Sequence, residues 1–208
     1  MKILVTAATR FELYSVMEDT ILNQIETLVT GVGMTSTAYV LGKHLANNHY
    51  DLIINVGIAG AFNYALELSQ VVEVQADQFS ELGAEDGEDF LNLDQMGLST
   101  WNEFPFQEGI VKAKNSINHQ LEKVIGTTVN KVHGNEKSIT EVKNRLNPDV
   151  ESMEGAAFLY VCANENTDCI QLRAISNYVE RRNRNAWQID LALSNLAKEL
   201  SIILNQIL

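Results

Sequence analysis

The chain has 208 residues, a length that encloses one full hydrophobic core without disulfide or metal support. Its 46% hydrophobic and 20% charged residues, with 12 Gly and only 2 Pro, exclude a disordered, collagen-like or linker-dominated chain, and no run reaches the roughly 18 apolar residues of a membrane span. Fifteen basic against 27 acidic residues leave a net charge of −12, which argues against a nucleic-acid partner, because phosphate binding needs an excess of cations.

Residues 2–6 form a short β-branched apolar run at the start, too short for the apolar core of a secretory leader, so a cytoplasmic location is expected. Helical spacing follows through Leu13, Val16 and Met17. Residues 25–32 read as a second strand broken by Gly31 and Gly33, and residues 34–47 carry a helical stripe of Ala38, Leu41, Leu45 and Ala46. Residues 52–56 are continuously apolar and run into Gly57-Ile58-Ala59-Gly60, which suits a strand covered on both faces. Further strands are expected at 71–74, 129–132 and 169–175, and helices at 138–146, 154–164 and 186–208. Between Lys43 and Lys112 there is no Lys or Arg, and the acids crowd into 73–108; this interval is read as a solvated, mobile insertion, since its spacing fails the calcium-loop pattern. The alternation predicts one three-layer α/β domain over residues 1–208 with a central sheet and no internal linker.

In such sheets ligands lie beyond the strand ends, so residues 10–12, 31–35, 57–60 and 176–184 are the informative ones. Gly31-Val32-Gly33-Met34-Thr35-Ser36 has Ser where a dinucleotide fingerprint needs its third Gly, and no P-loop motif occurs. Cys162 and Cys169, seven apart, are expected as reduced core residues. His44, His49, His119 and His133 have no ligand spacing, although His133 ends an expected strand and its loop is placed to line a pocket. Trp101, Phe104 and Phe106 fit either the core or a stacked base.

The segment Val150-Glu151-Ser152-Met153-Glu154-Gly155-Ala156-Ala157 is more specific, although two carboxylates three apart also fit a helix N-terminus. This block resembles the motif of the nucleoside phosphorylase and nucleosidase family. The resemblance extends, in the family's order, to Lys2-Ile3, Glu12, Gly31-Val32-Gly33, Gly57 with Ala59-Gly60, and Arg173-Ala174-Ile175-Ser176. It implies a three-layer αβα sandwich with a mixed, mostly parallel sheet, a small-molecule purine nucleoside as substrate, no cofactor and assembly into a homo-oligomer. It also implies Glu154 on the ribose hydroxyls with Met153 packed on the sugar, Glu12 as general base, and Gly57, Ala59 and Ser176 in the substrate site. Arg173 fits either this site or a structural ion pair.

Two departures narrow the member. Phosphorylases of the family place Arg and Ser where this chain has Asn55 and Ile58, so water is expected as nucleophile, with its placement left open by the lost Ser. Adenosine-type nucleosidases carry Asp where this chain has Asn177; an amide cannot protonate N7, but its NH₂ can donate to N7 or O6 of a 6-oxopurine. Asn177 and the residues after it, through Arg181, Arg182 and Arg184, resemble the branch that releases hypoxanthine from a nucleoside bearing an aromatic carboxylate beyond the ribose, and the arginines are candidates for that carboxylate. A phosphorylase using Arg10 and an inert nucleoside-binding protein are the competing readings.

Overall fold

The computed structural model describes residues 1–16 and 25–208. Its first unit runs β1 (Ile3–Ala7), α1 (Arg10–Val16), β2 (Glu26–Val29), α2 (Met34–Leu45) and β3 (Leu52–Ala61). The expected continuation of the first helix to Met17 lies outside the described residues. Then follow β4 (Val71–Phe79), β5 (Gly83–Asp86), β6 (Asp89–Asn92), β7 (Val111–Lys112), β8 (Glu122–Thr128), α3 (Glu136–Leu146), β9 (Val150–Ser152), α4 (Gly155–Asn164), β10 (Cys169–Tyr178) and α5 (Ile189–Ile207).

Strands β2, β1, β3 and β10 are parallel neighbours, β4 returns antiparallel to β10, and β8 runs parallel to β4. The short β9 then pairs with both β8 and β3, so one end of the mixed sheet closes into a ring of β3, β10, β4, β8 and β9. The interior of this ring is filled by Ala59, Ala61, Val72, Val74, Val124, Val150 and Ile175.

Alternation along the strands covers both faces. Ile3, Val5, Ile54 and Leu172 pack on Leu13 and Val16 of α1 and on the Leu193, Leu196, Leu200 and Leu204 stripe of α5. Leu4, Ile53 and Cys169 point the other way, onto Leu41 and Leu45 of α2 and Phe158 and Leu159 of α4. This is the α/β sandwich expected from the sequence. Both cysteines are free thiols in the second layer, in contact with each other, and burial pushes the Cys162 thiol up.

Three expectations change. The strand expected at 129–132 lies earlier, at Glu122–Thr128; Gly126 and the lysine of Glu122-Lys123 hide its alternation, and the chain leaves the sheet at Val129 to form a loop. The helix expected at 154–164 is present as α4, Gly155–Asn164, but the block around Glu151 just before it forms a strand, β9, that was not expected. Within the acidic interval Glu73 and Asp77 are buried in β4 while the acids from Glu81 to Glu108 are exposed, and residues 83–92 form an antiparallel hairpin, held by the Arg145 guanidinium 3.8 Å above the Phe90 ring. Among the described residues no helix is long and apolar enough to cross a membrane.

Candidate active site

The C-terminal ends of β1, β3 and β10 open onto a cavity of about 370 Å³ lined by Glu12, Ile58, Ala59, Met153, Glu154, Ser176 and Asn177, with Phe11, Val32, Val132, His133, Glu151 and Trp187 completing its walls. A second cavity of about 370 Å³ lies between the hairpin and α3, and Asp94 is its one acid among the described lining residues. Only the first gathers several carboxylates at the strand ends.

Glu12 is placed by the start of α1. Thr9 precedes the helix and its hydroxyl accepts from the Glu12 N–H at 3.1 Å, while Glu12 Oε2 accepts from the Thr9 N–H at 3.0 Å and from its hydroxyl at 2.7 Å. This reciprocal capping box spends Oε2 and fixes the carboxylate. Oε1 stays available and lies over Gly57, where a Cβ would come within 3.1 Å of it. Gly57 therefore serves by making room, one layer beneath the cavity wall.

Glu154 precedes α4, and its Oε1 accepts from the Gly33 N–H at 2.9 Å. Gly33 has φ +90, a conformation that favours glycine and turns this N–H outward from the start of α2. Burial pushes the Glu154 carboxyl up, against the Gly33 N–H and the Arg173 charge, which hold it down. One oxygen thus fixes the side chain, leaving Oε2 as an acceptor.

Arg173 does not reach the cavity surface. It is fully buried behind the wall, donates to Asn55 Oδ1 at 2.6 Å and to the Leu172 carbonyl at 2.9 Å, and leaves Nε without a hydrogen-bond partner. Burial works against its charge, while Glu154, Glu12 and Asp77, in that order, sustain it. Asn55, which also donates to the Thr6 hydroxyl at 3.0 Å, is consumed in positioning this guanidinium. A buried cation behind two carboxylates offsets their repulsion without meeting substrate.

Asn177 is turned into the cavity by a register shift in β10 between Ile175 and Asn177. Its orientation follows from its partners, since the Tyr178 carbonyl, at 2.9 Å, can only accept and so faces Nδ2, while the Ser176 hydroxyl donates to Oδ1 at 2.8 Å. One N–H of Asn177 remains for a ligand.

Arg181, Arg182 and Arg184 are exposed and outside the cavity lining. The Arg182 side chain is tied to the lining, its guanidinium 5.1 Å over the ring of Trp187, a lining residue, and its Cβ packed against Gly134 beside His133. Arg10 is exposed and off the wall, as are Phe104 and Trp101; Trp101 lines the other cavity. The sequence reading missed Trp187 and Val132 and treated Glu151 only as a helix acid. All three residues of β9, Val150, Glu151 and Ser152, are buried, so the strand carried no alternation that could have marked Glu151.

A cavity with two fixed carboxylates, each keeping a free oxygen, and an amide donor suits a sugar joined to a base. In agreement with this, the chain belongs to the phosphorylase superfamily, whose family model matches residues 23–208. It is similar to the futalosine hydrolase of Thermus thermophilus, with 28% identity over 180 residues covering 85% of this chain and 80% of that protein. The futalosine hydrolase of Acidothermus cellulolyticus is 31% identical over 173 residues, or 81% and 70% of the two chains. In fold it resembles the native structure of Helicobacter pylori futalosine hydrolase, with a TM-score of 0.81, 13% identity and 99% and 98% of the chains covered. The 5′-methylthioadenosine/S-adenosylhomocysteine nucleosidase of Neisseria meningitidis superposes with a TM-score of 0.80 at 16% identity over 99% and 100%.

Proposed function

We propose that this chain is a futalosine hydrolase, a nucleosidase that uses water to cleave the N-ribosidic bond of futalosine and release hypoxanthine on the futalosine route to menaquinone. The supporting observation is the cavity wall. It carries Glu12 with a free Oε1, Glu154 with a free Oε2 and the Asn177 amide, and no Lys or Arg among its described lining residues. The curated relatives named above support the choice of substrate.

Cleavage builds positive charge on the ribose as the base leaves, as in glycoside hydrolysis. Glu154 accepts from the ribose hydroxyls and its anion faces the developing cation, while Met153 packs on the sugar. Glu12 Oε1 takes the proton of the attacking water. The spare N–H of Asn177 donates to O6 of the 6-oxopurine, where a carboxylate would repel. No cofactor is required. The enzyme works in the cytoplasm as a homo-oligomer, and the exposed Phe11, Val32 and Val132 at the cavity mouth fit coverage by a second copy.

Phosphorolysis is the competing reaction, and it needs a cation for phosphate. Asn55 is buried under Arg173, Ile58 offers no donor, and Arg10 lies off the wall. Hypoxanthine release is therefore expected to continue in phosphate-free buffer and to yield a free sugar hydroxyl. Turnover that stops without phosphate, with a sugar 1-phosphate as product, would make the chain a phosphorylase, and no release from any purine nucleoside would favour the inert binder.

The aromatic carboxylate of futalosine needs a cation in a protein of net charge −12. Of the three arginines, Arg182 is assigned this contact because Trp187 carries it to the cavity wall. Guanidinium pairs with carboxylate bidentately. Arg182→Ala is expected to lower kcat/KM for futalosine by ~10-fold while leaving inosine within about twofold, and equal effects on the two substrates would remove the assignment.

A further inference from the structure

Departure of a purine requires a proton as well as a nucleophile, because the C1′–N9 electron pair stays on the base. The acids on the cavity wall are Glu12, Glu151 and Glu154, and two of them already have work on water and on the ribose. Asn177 donates hydrogen bonds but cannot give up a proton.

The remaining acid is coupled to the one histidine of the wall. His133 donates its backbone N–H to Glu151 Oε1 at 2.9 Å, and its Nδ1 lies 2.6 Å from Glu151 Oε2. The two side chains are 6% and 4% exposed. A carboxylate so buried requires a proton or a cation beside it, and the imidazole is the only titratable group in hydrogen-bond contact with it among the described residues. An ionised Glu151 carboxylate can only accept, which assigns Nδ1 as the donor, and the ring is held by its backbone and its edge together. Nε2 on the opposite edge has no protein partner among the described residues.

The pair also stands at the base end of the cavity. A Cβ on Gly60 would lie 3.2 Å from Asn177 Nδ2 and 3.8 Å from Glu151 Cγ, so the amide and the Glu151 stem share one patch of wall. We infer that His133, positioned by Glu151, is the acid that protonates the departing purine, taking over the task that the Asn177 amide cannot perform. This rests on the hydrolytic reading above and deepens it.

The step balances. The C1′–N9 bond breaks with its electron pair on the base, N7 takes the proton from imidazolium Nε2, water oxygen bonds to C1′, and its proton passes to Glu12. Hypoxanthine and the free sugar result, and solvent returns one proton from Glu12 to His133. Glu151 is a positioning residue that keeps Nδ1 occupied and the ring oriented.

The test compares leaving groups. Inosine leaves through a base that needs the proton, whereas 4-nitrophenyl β-D-ribofuranoside leaves as a stable phenolate and 7-methylinosine already bears the positive charge. His133→Gln is expected to lose at least ~10²-fold in kcat on inosine, and to lose at least ~10-fold less than that on one or both of the other two. Glu151→Gln should show the same preference with a smaller loss, and it carries the test if the His133 variant melts before assay temperature. Losses equal within about threefold on all three substrates, or no loss on inosine, would overturn the assignment while the hydrolytic reading stands. A wild-type chain that releases hypoxanthine from neither inosine nor futalosine would overturn both, and where only futalosine is cleaved the same comparison is read with futalosine in place of inosine.

Discussion

Glu12→Gln is expected to fold, to bind substrate and to lose at least ~10²-fold in kcat, at the low end of what a general base contributes. The geometry makes Gln the diagnostic replacement. In the capping box only Oε2 accepts, from the Thr9 N–H and hydroxyl. The oxygen of Gln can take that place and preserve the cap, which turns the amide NH₂ toward Gly57 and the cavity. A donor then stands where the acceptor for the water proton belonged. Removing one of two neighbouring carboxylates also lowers the tendency of Glu154 to hold a proton, because Glu12 contributes to raising it, so ribose binding is preserved. Glu12→Ala would mix this loss with that of the cap, worth ~1 kcal/mol. Melting temperature and steady-state kinetics on the Gln variant check the point, and near-normal kcat in a folded protein would exclude Glu12 as the base.

The capping box does not compete with the role that the resemblance implies for Glu12. Thr-x-x-Glu at a helix start makes a cap through one oxygen and leaves the other for the proposed base. Much of the sandwich was legible for an equally local reason. Residues 52–56 are apolar without alternation because β3 is covered on both faces, and the α5 stripe repeats with helical period. The ring closure was not legible. It depends on β9, three residues long, pairing Glu151 with Gly60 across the chain, and neither Gly60 nor Glu151 carries strand propensity. The same long-range pairing brings Glu151 to the cavity, so a site residue was hidden together with the strand that positions it. Arg173 was ambiguous because its sequence position, inside an apolar strand, fits both roles. Its burial beneath Glu12 and Glu154 makes it their common counter-charge.

Stability should fall as pH rises from about 4 to above 6 through one buried carboxyl outside the cavity lining, Asp77. Asp77 is fully buried; its Oδ1 accepts from the Gln78 N–H at 2.8 Å and the Thr128 hydroxyl at 2.9 Å, and its Oδ2 from Gln171 Nε2 at 3.1 Å. Desolvation pushes it up to about 6 even though Gln171, Thr128, Arg173 and Gln78 all favour the anion. A carboxyl raised above its unfolded value binds its proton more tightly in the folded state. Its contribution is therefore fully present below the unfolded value of 3.8 and lost as pH passes about 6, a difference of about 3 kcal/mol at 1.36 kcal/mol per unit. Asp77→Asn removes this dependence, and the site can accept the amide. Its carbonyl keeps the Gln78 and Thr128 donors, and Gln171, whose Oε1 has no partner, can turn that oxygen toward the new NH₂. Turning it leaves a Gln171 N–H in the unpaired place, so the absolute gain is smaller than the full term, and the change with pH is the decisive quantity. The free-energy difference between variant and wild type, from urea unfolding at pH 4 and pH 7.5, should move in favour of the variant by about 2 to 3 kcal/mol at the higher pH. A difference constant across that range would mean that Asp77 titrates alike in the folded and unfolded chain, and that Arg173 with the three donors fully offsets its burial.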